Sequence, residues 1–346
     1  MSDKSLSTDV IIVGAGPVGL FAVFELGLLN LKCHLIDNLD RPGGQCTQLY
    51  PEKPIYDIPS RPRVTGQELV DDLVTQAKPF DPVFHLSQQA ERLERMDDGR
   101  WQVTTSVGTR LVAPVVVLAA GSGSFVPKRP PIPDVAEYED RGVFYAVRRM
   151  EDFRGKRVVI AGGGDSALDW VLNLQPLTQS MTLVHRREEF RAAPDSVQRM
   201  RALVEAGKMR HITGNVKQLV GRDGRLEGVM VTRKADGGEE LVPCDAFLPF
   251  FGLKINLGPI ADWGLELAEH NRVVVDPMTY GTGIDGIYAV GDLCTYPGKL
   301  KLILSGFHEA AVMAHAAFKY ARPDEKIVTG YTTTNTELQK RLGVAS

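Results

Sequence analysis

The stretch from Val10 to Asp37, VIIVGAGPVGLFAVFELGLLNLKCHLID, constrains this chain more than any other. The short apolar run Val10 to Val13 reads as a buried parallel strand. Gly14-x-Gly16-x-x-Gly19 follows at once, a helical pattern runs from Leu20 through Phe24 to Leu28, and a second apolar strand, Cys33 to Ile36, ends at Asp37. Each glycine has its own task. The first lets the chain turn sharply, the second lets backbone approach a pyrophosphate, and the third lets helix pack close on strand. Free N–H groups at the helix start then face the phosphates. Asp37 falls about 20 residues past the glycines, where a carboxylate can accept hydrogen bonds from a ribose. A lone glycine motif is weak and also fits a tight turn that binds nothing. Here strand, loop, helix, second strand and acid all fall in place, and the reading is a dinucleotide site.

The 346 residues suggest two or three domains, ample for large cores. A net charge of -3 gives no ground for a nucleic-acid partner or an anionic membrane. No apolar run reaches the ~18 residues a span needs, so no membrane partner is expected. The opening MSDKSLSTD does not read as a signal peptide. Cys33, Cys46, Cys244 and Cys294 are far apart, with neither a CxxC nor a zinc spacing. Most are expected as buried apolar thiols in a reducing, cytoplasmic setting.

After Asp37 comes a long Gly- and Pro-rich loop, of the kind that is usually functional. Gly43-Gly44-Gln45 allows another close backbone approach, and Tyr50 precedes Pro51, so its backbone is extended. Tyr50 reads either as packing or as a platform for a flat cofactor ring. Gln67 to Lys78 has the apolar spacing of an amphipathic helix. From Ala90 the period becomes two, with turns at Asp98-Gly99 and Val107-Gly108, and Val115 to Ser124 is a buried strand ending in a glycine loop. Pro127 to Pro133 reads as a linker.

Then the plan repeats. Arg157 to Ala161 is an apolar strand, followed by Gly162-x-Gly164-x-x-Ala167, a helix from Leu168 to Leu174, and a strand from Met181 to Val184. A second meander turns at Asp223-Gly224 and at Asp236-Gly237-Gly238, and closes on Ala246 to Phe251. Strand, glycine loop, helix, strand, meander and strand occur twice, which is an internal duplication of one domain type rather than a short-period repeat. The fold class is therefore α/β, with two Rossmann-like domains of three-layer ββα form, each with a parallel sheet and a β-meander. Residues 1–121 with 252–346 should form one domain and 122–251 the other. The last part holds the strand Gly283 to Asp292, a helix from about Ser305 to Tyr320, and a short amphipathic piece, Glu337 to Leu342.

The two glycine motifs end in opposite charges. The first ends in Asp37; the second ends in His185-Arg186-Arg187, with Arg191 one turn on. A carboxylate accepts ribose hydroxyls and repels phosphate, whereas guanidinium forks pair with phosphate oxygens. The second site should therefore prefer NADP(H). The alternative is a solvated charge cluster. Two nucleotide domains in one chain suggest a flavin facing a nicotinamide, with hydride passing to flavin N5. That step needs positioning more than an acid or base, and no catalytic triad is expected.

The order GAGPVG, GGQ, AAG, GGGDSALD, HRREEFR, GIYAVGD resembles the two-domain flavoprotein disulfide reductases, thioredoxin reductases in particular, over nearly the whole chain. One departure is large. Thioredoxin reductases carry a CxxC just before the second glycine strand, and here Arg141 to Arg157 holds no cysteine. Without a thiolate beside its partner, disulfide exchange cannot run. That departure, with the C-terminal extension, resembles the thioredoxin-reductase-like ferredoxin–NADP⁺ reductases, homodimers that carry FAD.

The resemblance implies roles by motif. Gly14, Gly16, Pro17 and Gly19 would hold the FAD pyrophosphate and Asp37 the adenosine ribose. Gln45 would touch the isoalloxazine, Tyr50 would stack on it, and Ala90 would meet the adenine through its backbone. Phe125 would lie near the cofactor and Asp292 would bind its ribityl or pyrophosphate part. The helix start near Ser305 and Gly306 would aim its positive end at the flavin N1–O2 edge. From the extension, Tyr331 would cover the other flavin face and Thr333 would bond nearby. Gly162, Gly164, Asp165, Ser166 and His185 would hold NADP(H), with Arg186, Arg187 and Arg191 on its 2′-phosphate. Hinges are expected near Gly121 and Gly252. The partner implied is an acidic ferredoxin or flavodoxin, for which Lys53, Arg61, Arg63, Lys299 and Lys301 are docking candidates. Scattered surface charge is the competing reading of each. Other functions compatible with two such domains are a flavin monooxygenase, a non-catalytic flavin binder, and an NADPH reductase for another carrier. The FxGxxxHxxx fingerprint of the first does not occur.

Overall fold

The structure, a computed structural model, describes residues 5–268, 271–327 and 336–341. Two compact units divide it. One comprises Met1–Ser124 with Ile255–Ser346, and the other comprises Phe125–Lys254. The chain passes between them within the strands Ser124–Pro127 and Leu253–Asn256.

The first unit begins on the fully buried strand Val10–Val13. Helix α1, Pro17–Leu28, follows with Pro at its first position, where the missing N–H costs nothing. The strand Cys33–Ile36 pairs in parallel with the first, Val10 opposite Cys33. The loop beyond Asp37 contains a short helix α2, Gln45–Leu49, and the strand pair Pro54–Ile55 with Val64–Thr65. Helix α3, Gly66–Ala77, is closed by a reciprocal cap in which Thr65 and Glu68 satisfy each other's backbone N–H groups. Its buried residues include Leu69, Val70 and Leu73 of the apolar stripe read from the sequence, with Ala77 added. The meander Ala90–Arg95, Trp101–Thr105, Arg110–Ala113 forms its own sheet, and Val115–Leu118 returns to pair with Val10–Val13.

The second unit repeats this order with small changes. Strand Arg157–Ala161, helix α4 (Asp165–Leu174) and strand Ser180–His185 lead to helix α5, Pro194–Glu205. The meander Arg210–Arg222, Arg225–Arg233, Glu239–Pro243 joins the parallel strands in one six-stranded sheet, whose far edge is Ala246–Pro249. Arg210–Arg222 is long because its first residues pair in parallel with Ser180–His185 and its remainder pairs antiparallel with Arg225–Arg233. In the first unit those two jobs belong to separate strands, Val83–His85 and Ala90–Arg95.

The chain then completes the first unit. Ile287–Ala289 adds a parallel edge beside Val115–Leu118, making a five-stranded sheet. Helix α6, Ile303–Ala321, buries Ala310, Met313, Ala314 and Ala317 in the core shared with α1 and the meander. Helix α7 is Thr336–Arg341, and the Arg341 guanidinium lies 5.8 Å from the Phe80 ring. No described helix is long and apolar enough to cross a membrane. The two parallel sheets, each with its meander, are the architecture the duplicated sequence pattern implies.

Candidate functional site

In the first unit the glycine loop sits at the carboxyl ends of the parallel strands. Gly14 has φ +109°, and a Cβ there would stand 2.4 Å from the Ala119 carbonyl oxygen. A Cβ on Gly19 would stand 2.1 Å from the Gly14 oxygen, so α1 can pack on its own loop only with glycine at that position. Gly16 is the helix N-cap. It offers no side-chain acceptor, and nothing lies within 4 Å of the place its Cβ would take. The first N–H groups of α1 thus have no side-chain cap, whereas α3 is capped by Thr65. That cradle fits a pyrophosphate.

The rest of the site gathers around this loop. Asp37 accepts the Ala15 N–H at 2.7 Å and the Leu39 N–H at 2.9 Å. Burial raises its pKa while those bonds pull it back. The carboxylate therefore ties strand end to glycine loop and keeps lone pairs free for a ribose. Gly43 donates its N–H to the Ala15 carbonyl at 2.8 Å, which brings Gly43-Gly44-Gln45 against the first glycine motif. Tyr50 follows α2, half-buried, with the Cys46 thiol donating to its hydroxyl at 3.8 Å and the Lys53 ammonium 5.7 Å from its ring. Burial, the Cys46 thiol and the nearby Asp292 carboxylate all push the Tyr50 pKa up. Asp292 is thus close enough to act on Tyr50 and Cys46 alike. Gln88 donates its N–H to the Asp37 carbonyl at 3.0 Å, placing Ala90 two residues beyond the adenosine end. Helix α6 begins with Leu302 at its N-cap and no side-chain acceptor, so its first N–H groups are uncapped too.

Of the first-unit residues singled out from sequence, Gly14, Gly16, Pro17 and Gly19 lie in or beside this loop and Asp37 bonds to it, Gln45 starts α2 next to Gly43 and Gly44, Asp292 acts on Tyr50 and Cys46, and Ala90 follows the Gln88 bond to Asp37. Phe125 opens the second unit, half-buried. Tyr331 and Thr333 lie outside the described residues. Among the docking candidates, Arg63 and Lys301 are exposed and Arg61 pairs with Asp72 at 3.0 Å. Lys299 is a correction. Its side chain is 2% exposed and bound to the Glu309 carboxylate, which is itself fully buried. Glu309 escaped the sequence reading, although a charge among Phe307, Ala310 and Ala314 on a core-facing helix was a visible anomaly.

The second unit repeats the geometry with a different electrostatic end. A Cβ on Gly162 would meet the Phe250 oxygen at 2.7 Å and the Ala167 Cβ at 2.9 Å, so Ala167 holds the third position with nothing to spare. Gly164, the N-cap of α4, faces open space and provides no cap. Asp165 starts α4 and accepts the Ala193 N–H at 2.8 Å, with Ser166 exposed beside it. Gly163 was not singled out from sequence. A Cβ there would lie 2.1 Å from His185 Cε1, because the imidazole is laid over the loop. That ring is stacked 5.0 Å from Phe190, and Arg191 donates its N–H to the Gly163 carbonyl at 2.8 Å. Arg186, Arg187 and Arg191 are exposed, and behind burial their charge helps lower the His185 pKa. A positive rim beside an uncapped glycine loop suits a phosphorylated ribose.

The chain matches the profile of the pyridine nucleotide-disulphide oxidoreductase family over residues 8–317, and it belongs to that family. Within it, the chain is 59% identical to the ferredoxin–NADP reductase of Parvibaculum lavamentivorans over the full length of both proteins. It is also 59% identical to the ferredoxin–NADP reductase of Mesorhizobium japonicum, covering 98% of each chain. Among solved structures, Lactococcus lactis thioredoxin reductase in its FR conformation aligns with TM-score 0.75 and 25% identity, over 91% of this chain and 99% of that one. T. acidophilum thioredoxin reductase aligns with TM-score 0.77 and 21% identity, over 92% of this chain and 99% of that one, a likeness of fold.

Proposed function

We propose that this chain is an FAD-carrying reductase that passes electrons between NADP(H) and a ferredoxin or flavodoxin, with no protein disulfide in the path. Bound FAD supplies the exchange between hydride from nicotinamide and single electrons for the partner. The chain supplies the setting. The uncapped N-terminus of α1 holds the pyrophosphate and Asp37 the adenosine ribose. Tyr50 shields a face of the ring system from water. The uncapped start of α6 favours negative charge on the ring edge it meets. In the other unit, Gly162 and Gly164 with the start of α4 receive the second pyrophosphate, and Arg186, Arg187 and Arg191 select the 2′-phosphate.

The observation that carries this reading is the contrast between the two otherwise parallel sites: a bonded carboxylate closes one and an exposed arginine rim closes the other. The thiols support the absence of sulfur chemistry. All four are free and buried, and burial pushes Cys46 up to about 11 and Cys244 and Cys294 up to about 12. None is a ready thiolate nucleophile. With relatives of 59% identity named ferredoxin–NADP reductase, the proposed partner is the one in that name, docked through Lys53, Arg63 and Lys301. The working form is a homodimer of the cytoplasm, in which the extension bearing Tyr331 and Thr333 reaches a flavin. Anaerobic titration of the holoprotein with NADPH and NADH, followed by ferredoxin-coupled cytochrome reduction, tests the reaction. Sedimentation tests the dimer. Flavin bleaching by NADPH without electron delivery to any ferredoxin or flavodoxin would refute the assignment.

A further inference from the structure

The buried ion pair of Lys299 and Glu309 has no part in the scheme above. Burying two charges costs several kcal/mol per ion, and an apolar pair of similar volume is often as stable or more so. Such a pair is weak evidence for stability, and its other bonds show what it holds. The Glu309 carboxylate accepts the Gly291 N–H at 2.7 Å, the Tyr296 hydroxyl at 2.8 Å and the Cys294 thiol at 3.5 Å, besides the Lys299 ammonium. The Cys294 thiol also lies 3.3 Å from the Gly291 carbonyl. Lys299 stands 5.6 Å from the Tyr296 ring, which meets Tyr280 edge-on at 5.6 Å.

Three elements meet at this point. Gly291 has φ +75°, the left-handed turn that presents Asp292. On α6, a Cβ at Gly306 would lie 2.3 Å from Val18 Cγ2 and 3.4 Å from Gly291 Cα. Val18 in turn is the second residue of α1 and stands 3.4 Å from the place a Cβ on Gly291 would take. Glu309, one turn along α6 from Gly306, therefore fastens the Gly291–Asp292 turn to the first turns of α6, where both press on the start of α1.

We infer that Glu309 is a positioning residue for the flavin, holding Asp292 and the uncapped start of α6 in fixed relation, and that Lys299 is there to neutralise it. The inference rests on the FAD reading of this unit. A carboxylate is used because one side chain must accept from a backbone N–H, a phenol and an ammonium at once, and only an ionised acceptor has lone pairs for all of them.

The test separates the acceptor from the charge. In Lys299→Met/Glu309→Gln both charges are gone, but the introduced amide still offers an oxygen to the Gly291 N–H. In Lys299→Met/Glu309→Leu both charges and the acceptor are gone. Three quantities are measured on holoprotein: FAD released on dilution, read by its fluorescence; the visible circular dichroism of the bound flavin; and NADP⁺ affinity as a control on the other unit. The first variant should hold FAD within about threefold of wild type with unchanged dichroism. The second should release it about tenfold or more readily, as expected for a stranded buried N–H, with altered dichroism and unchanged NADP⁺ binding. Wild-type FAD affinity and dichroism in Lys299→Met/Glu309→Leu, with only the melting temperature lowered, would overturn the inference. Wild-type protein that bound no FAD would overturn the functional reading and this inference with it.

Discussion

Removing guanidinium groups from the rim of the second unit gives the sharpest test of which nucleotide that unit takes. Arg186 and Arg187 follow the strand Ser180–His185, and both are exposed. Arg191 is held to the loop by its backbone bond to Gly163. A hydrogen bond to a charged group contributes about 1.5–3 kcal/mol, and every 1.4 kcal/mol is tenfold in affinity. Arg187→Ala should therefore weaken NADP⁺ binding by about 10–100-fold, with the lower end favoured because exposed charge is screened by solvent. The Arg186→Ala/Arg187→Ala pair should cost more than either single change, though not their product, because neighbours share one phosphate. NAD⁺, which lacks that phosphate, should bind wild type and every variant within about threefold of one another. Raising salt to ~1 M shortens the Debye length to about 3 Å and should narrow the NADP⁺ difference between wild type and variant. The assay is equilibrium difference spectroscopy of the oxidised holoprotein with each nucleotide. Equal losses for NADP⁺ and NAD⁺ would show that the arginines shape the loop rather than read the phosphate. No loss for either would show that the rim is a solvated charge cluster.

Gly14→Ala places a methyl group 2.4 Å from a backbone oxygen at φ +109°, so the loop must open; retained FAD in the purified protein should fall at least tenfold, read from the ratio of flavin to protein absorbance, with NADP⁺ binding intact. Gly163→Ala should do the reverse, because the new methyl group displaces the His185 ring from Phe190; NADP⁺ affinity falls in calorimetry while FAD stays bound. Arg157 and Asp245 form a three-bond clasp, with the Asp245 carboxylate accepting from the Arg157 N–H at 2.9 Å, Nε at 3.1 Å and Nη2 at 2.6 Å. The Arg157 hydrogen bonds hold the Asp245 pKa below its ordinary value against opposing burial. A depressed carboxylate contributes stability above the unfolded-state value of about 3.9, lost as pH falls through the folded-state value. Asp245→Asn should therefore lower stability by roughly 1 kcal/mol near pH 7, and the gap in melting temperature should close below about pH 4. A gap that widened on acidification would refute the sign.

What the sequence revealed follows from which forces act locally. Both glycine loops were legible because their spacing answers to two short-range needs, close backbone approach and an uncapped helix start. The strand limits Val10–Val13 and Arg157–Ala161 agree with the apolar runs, since a strand buried on both faces ends where polarity begins. Helix α2 was invisible: QCTQL is five residues long, too short to show a helical period. Helix α5 fully buries only Met200, and its apolar stripe of Val197, Met200, Leu203 and Val204 is set among polar and charged residues, so it does not stand out. The strand Arg210–Arg222 breaks its alternation at a bulge between Val216 and Gln218, which hides its length from a period of two. Lys299 was misjudged for a deeper reason. A lysine between Gly298 and Leu300 looks like exposed charge, and only the carboxylate ten residues later, one face of a helix away, makes it a buried counter-ion. Local pattern could place the two glycine loops, because close backbone approach and an uncapped helix start are set by neighbouring residues. It could not place the pair beneath Asp292, because that pair exists only once strand, turn and helix have met.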